Sequence, residues 1–153
     1  MFKTLITPLL ASLALVSVPA FAAPALSTGM MSSVNASTSN GNTQNIRLSC
    51  SAGNFRGEVT GYVKYSNQDS SKYFIIEKYR ITKLNGQKGG NKANINTTTE
   101  RYSKKSPDSM NQNGEWHDLH HNGFVNSYNV PLTVEFIFDK SGSDPRCTDT
   151  LNI

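Results

Sequence analysis

The chain has 153 residues, a formal charge of +4 and a hydrophobic fraction of only 37%. That length suits one domain with a core of its own, and two cysteines exclude a scaffold stapled by several disulfides. No apolar run beyond the N-terminal segment is long enough to cross a bilayer as a helix, so a soluble domain is expected.

Residues 1–22 read as an export signal of bacterial type. Lys3 is the positive start, Leu5 to Val18 the apolar stretch, and Ala20-Phe21-Ala22 a small-x-small cleavage site. Pro8 and Pro19 interrupt the apolar run, which argues against a membrane anchor. Residues 23–45 are dominated by Ser, Thr, Asn, Gly and Ala, too polar to offset their ordering entropy, and are expected to form a flexible tail. The folded domain is expected to span 46–153.

That domain opens with Ile46, Leu48 and Cys50 alternating with polar residues, a strand with its cysteine facing inward. A turn at Ala52-Gly53-Asn54 leads to a second strand over Gly57 to Tyr65, with Val59, Gly61, Val63 and Tyr65 on one face. Gly61 there suggests a bulge or a close backbone approach. The short polar side chains of 66–71 predict a turn, and therefore a hairpin. Lys72 to Leu84 is the longest candidate strand. Strict alternation places Tyr73, Ile75, Tyr79 and Ile81 on one face and Phe74, Ile76, Lys78 and Arg80 on the other. After the glycine-rich basic loop 86–92, Asn94 to Tyr102 is expected to be a strand pairing back across that loop, with Ile95 and Thr97 on one face. Ser103 to Gly114 reads as loop, and a short strand is expected only after Asn122-Gly123. The clearest strand is Pro131 to Asp139, where Leu132, Val134, Phe136 and Phe138 share one face. A polar turn over 141–145 precedes a last strand through Cys147, Asp149, Leu151 and Ile153.

Turn-rich spacing without an amphipathic helix predicts an all-β, single-domain antiparallel β-sandwich or partly open barrel. In an exported chain Cys50 and Cys147 are expected to pair, linking the first and last strand regions.

Charge is uneven along the sequence. Residues 56–105 carry eleven Lys and Arg against four Asp and Glu, while 106–153 carry two against seven. Tyr62, Tyr73, Tyr79 and Tyr102 are interleaved with the basic residues, a composition suited to an anionic partner. Glu115-Trp116-His117-Asp118-Leu119-His120-His121 holds the single tryptophan and all three histidines. Trp116 with His117 and Asp118 can stack on and hydrogen-bond a glycan, and the loops 86–92 and 103–121 can present Lys88, Lys92, Lys104 and Lys105 to an anionic surface.

The sequence therefore points first to an exported binding module for a protein, a glycan or an anionic surface. Nucleic acid, a membrane span and a cofactor are not expected. One alternative is a small metal-dependent hydrolase using His117, His120, His121 and Glu115, since imidazole and carboxylate ligands bind zinc and copper. On a strand, however, His117 and His121 share a face and His120 does not. No nucleophile motif surrounds Ser103, Ser106 or Ser109, so the reading leans away from an enzyme. A second alternative is a secreted effector acting on membranes through its Tyr- and Lys-bearing strands.

Overall fold

The structure, a computed structural model, describes residues 42–69, 71–86 and 90–153. The export signal, most of the polar tail, and Lys88 lie outside the described residues. The described residues form eight strands: β1 (Thr43–Ala52), β2 (Phe55–Tyr65), β3 (Lys72–Lys83), β4 (Asn94–Thr98), β5 (Ser103–Lys105), β6 (His117–Val125), β7 (Pro131–Ile137) and β8 (Arg146–Asn152). They make two antiparallel sheets, ordered β1-β2-β3-β6 and β5-β4-β7-β8. No helix among the described residues is long and apolar enough to cross a membrane.

Period-two alternation explains the core. Ile46 and Leu48 of β1, Phe55, Val59 and Val63 of β2, and Leu132, Val134 and Phe136 of β7 all point between the sheets and are buried. Phe138, just past β7, stacks on Phe55 at 5.2 Å between ring centroids and on Phe136 at 6.0 Å. Gly57 makes room for this cluster, since a Cβ there would lie 2.4 Å from the Phe136 ring.

One irregularity resets the longest strand. Opposite β2, Gly61 pairs with Ile76 and Thr60 with Lys78, so Glu77 is an extra residue in β3. The pleat is displaced by one, and Tyr79 and Ile81 are buried with Phe74 and Ile76 rather than facing away from them. Strict alternation had divided these four between two faces. Gly61 permits the arrangement, because an ideal Cβ there would lie 1.9 Å from the Ile75 carbonyl oxygen.

Four further expectations are corrected. β4 does not pair back with β3 but lies between β5 and β7 in the other sheet, where Ile95 and Thr97 face the core. The 103–114 loop contains the short strand β5. The strand expected after Asn122-Gly123 begins instead at His117 and runs through those two residues. β1 also starts at Thr43, three residues earlier than read.

Both sides of the sandwich are tied. On one, Cys50 of β1 and Cys147 of β8 form the disulfide, with Cα atoms 5.8 Å apart, and the Ser49 N–H donates to Asp149 Oδ2 at 2.8 Å. On the other, Lys104 Nζ of β5 donates to the His120 carbonyl of β6 at 2.6 Å. Deeper in, Thr97 Oγ1 and His121 Nδ1 are hydrogen-bonded at 2.9 Å between the sheets.

A candidate binding face on the outer side of the first sheet

Strand register assembles what the sequence leaves scattered. On the outer side of β1-β2-β3-β6, Ser49, Glu58 and Arg80 lie in one row across the sheet. The next row is Arg47, Thr60, Lys78 and Asp118. Arg56 projects from the same face of β2. Glu58 is thereby surrounded by three arginines from three strands. Arg80 donates to Glu58 Oε2 twice, from Nε at 2.9 Å and Nη2 at 2.6 Å. Arg47 and Arg56 each bring an Nη2 to 3.6 and 3.8 Å from Oε1. Their side chains remain about half exposed while the Glu58 side chain is buried. One carboxylate thus orients three guanidiniums without neutralising them, and Arg47 and Arg56 keep outward-facing donors.

Trp116, immediately before β6, closes one edge of this cluster. The Arg80 guanidinium carbon sits 4.8 Å from the ring centroid, a cation–π contact that covers one face of the indole. Beside it, Lys78 Nζ donates to Asp118 Oδ1 at 2.9 Å, and that bond together with the lysine charge holds the Asp118 carboxyl below the usual carboxylate range.

Further along the same face come the rows Asn45, Tyr62, Ile75, Asn122 and Thr43, Lys64, Tyr73, Phe124. Lys64 Nζ lies 5.4 Å from the Tyr62 centroid, and the Tyr73 hydroxyl accepts from Asn122 Nδ2 at 2.8 Å. The face as a whole carries Arg47, Arg56, Lys64, Lys78 and Arg80 against Glu58, Glu77 and Asp118. The outer side of the other sheet differs in kind. Asn94, Asn96, Thr98, Thr133, Thr148, Thr150 and Asn152 dominate it, with Lys105, Glu135 and Arg146 as its charges.

The sequence-nominated residues are therefore dispersed. Trp116 and Asp118 belong to the cationic face. His117 points the other way, stacked on Tyr79 at 5.3 Å and hydrogen-bonded through Nε2 to Asn113 Oδ1 at 2.8 Å. Lys104 is an inward-facing residue at the sheet edge, Lys105 lies on the opposite outer face, and Lys92 is exposed beside Asp139, whose Oδ2 accepts its N–H at 3.1 Å. Of the interleaved tyrosines only Tyr62 and Tyr73 reach the cationic face, while Tyr79 is buried and Tyr102 packs edge-on against Phe74.

The histidines do not converge either. His120 is exposed on the outer side, His121 is buried between the sheets, and Glu115 is bonded to Asn113. Among the described residues, no group of three or more His, Cys, Asp or Glu side chains is placed to hold a metal ion. His121 was expected in an exposed loop and is instead 3% exposed. Burial, reinforced by the charge of Lys104, lowers its pKa from 6.5 to about 4.

The two nominated loops do meet, at the end of the sandwich nearest Asp139. Gln112, fully buried, donates from Nε2 to the Gly90 and Asp139 carbonyls and accepts the Asp139 N–H. Every polar group of that side chain is used in fixing the loops, so this junction is structural.

No protein-family model, curated protein or solved structure matches the chain.

Proposed function

We propose that the chain is an exported, disulfide-linked binding module that takes an anionic partner on the outer face of β1-β2-β3-β6. The observation that carries this reading is the trio Arg47, Arg56 and Arg80 held on Glu58. A buried carboxylate restrains three long side chains before a ligand arrives, so less rotamer entropy is lost on binding. It cancels only one of three charges, which leaves the cluster suited to a phosphate, sulfate or carboxylate. Export is supported by the signal-like N-terminus and by the disulfide.

Heparin chromatography tests the reading. The protein should be retained and eluted by salt, as screening weakens each charge contact. Arg47→Gln/Arg56→Gln keeps the close Arg80–Glu58 pair and should elute at clearly lower salt. Equal retention of that variant and the parent protein would locate anion binding elsewhere.

A further inference from the structure

The cationic cluster occupies only half of the face. Of the five large apolar side chains left exposed among the described residues, three lie here: Phe124 at 57%, Trp116 at 38% and Tyr73 at 37%. With Tyr62 and Ile75 they form an apolar and aromatic surface continuous with the arginines. A soluble polyanion would engage the charges and leave Phe124 in water. Another copy of the chain is disfavoured because five cations and three carboxylates would meet the same set. Sugar stacking on Trp116 competes with Arg80 for a ring face.

From this juxtaposition we infer that the occupant of the face is the surface of a bilayer containing anionic phospholipid, on which the sheet lies without spanning. The inference rests on the anion-binding reading above and deepens it. Trp and Tyr favour the headgroup level, where an apolar ring is sheltered and its polar edge stays wet. Phe124 would enter the acyl boundary, while Arg47, Arg56, Lys64 and Arg80 contact phosphates. Each cation brought to an anionic lipid surface strengthens binding about fivefold, so a net excess of two predicts a preference of about 25-fold over neutral lipid.

The test uses the full chain with vesicles of phosphatidylcholine alone and of phosphatidylcholine mixed with phosphatidylglycerol, beside heparin as the soluble polyanion. Trp116 is the only tryptophan, so its emission reports on this face alone. The expected result is co-sedimentation with the mixed vesicles, a blue shift of Trp116 and little binding to neutral ones. Phe124→Ser should weaken vesicle binding about tenfold and leave heparin elution unchanged, and Tyr73→Ser provides the same comparison should the first variant fold poorly. Arg47→Gln/Arg56→Gln should weaken both. Heparin retention without vesicle binding would overturn the bilayer inference and leave the anion-binding reading standing, pointing to an acidic polysaccharide or protein. Loss of neither interaction in the apolar variants would also overturn it. Absence of both interactions in the parent protein would overturn both readings.

Discussion

The buried His121 should make this domain lose stability in mild acid, well before its carboxylates titrate. His121 is neutral in the folded state down to a pKa of about 4, whereas in the unfolded chain it protonates near 6.5. Between those values the unfolded chain takes up a proton that the folded protein refuses. Stability from this source is thus complete above about pH 6.5 and drains away as pH falls toward 4. For those two pKa values the loss is negligible at pH 7.5 and about 2 kcal/mol at pH 5, approaching about 3 kcal/mol near pH 4. Asp69 and Asp118 have carboxyls held below 3.8, so they do not contribute in the window from 5 to 6.5. Urea unfolding at pH 7.5 and 5.0 measures the loss, and His121→Gln separates its cause. Glutamine can still reach Thr97 but does not titrate, so the variant should lose about 2 kcal/mol less across the interval. A parent protein and variant with the same pH dependence would refute the assignment, as would an NMR titration placing His121 near 6.5.

Three other substitutions test the frame. Gly61→Ala should destabilise by about 3 kcal/mol, since the Ile75 carbonyl that a Cβ would meet is backbone and cannot swing aside; a melting temperature within a degree or two of the parent would contradict this. Glu58→Gln should cost about 3 kcal/mol by leaving three arginines crowded around a neutral group, and raised salt should recover part of the loss in denaturant titrations. Cys50→Ala/Cys147→Ala removes a crosslink across 97 positions and should lower stability by about 4 to 5 kcal/mol in the loop-closure estimate, read from unfolding midpoints under non-reducing conditions.

The fold class, the disulfide and the β7 strand were legible because each rests on short-range information. Four inward residues from Leu132 to Phe138 declare their face by alternation alone, and two cysteines offer one pairing. The faces of β3 were misread because the bulge at Glu77 inserts a residue without a mark in its own segment. The available hint was on the partner strand, in Gly61. The partners of β4 were hidden because a chain crossing to a second sheet and a chain folding back on the first look alike locally. His121 looked like a surface histidine because its hydrogen-bond partner, Thr97, is 24 positions away. The arginine cluster needed register above all. Arg56, Glu58 and Arg80 are visible as polar-face residues, yet only the pairing of Glu58 with Ser49 and Arg80 brings three strands' cations onto one carboxylate.

The link between Cys50 and Cys147 also has a mechanical meaning. Tension applied to the two ends of the chain would pass from β1 directly through the sulfurs into β8, bypassing everything between. Phe55, Phe74, Phe136 and Phe138 of the core, with Arg56, Glu58, Arg80 and Trp116 of the cationic face, lie within the bypassed portion, whereas Arg47 lies in a flanking segment that load would draw out. A single molecule pulled in an optical trap should therefore lengthen only by its flanking segments until reductant is added. It should then release a further 97 positions, roughly 330 Å of extended chain. Under load such a strap would keep Arg56, Glu58 and Arg80 together even after β1 had been drawn away up to Cys50.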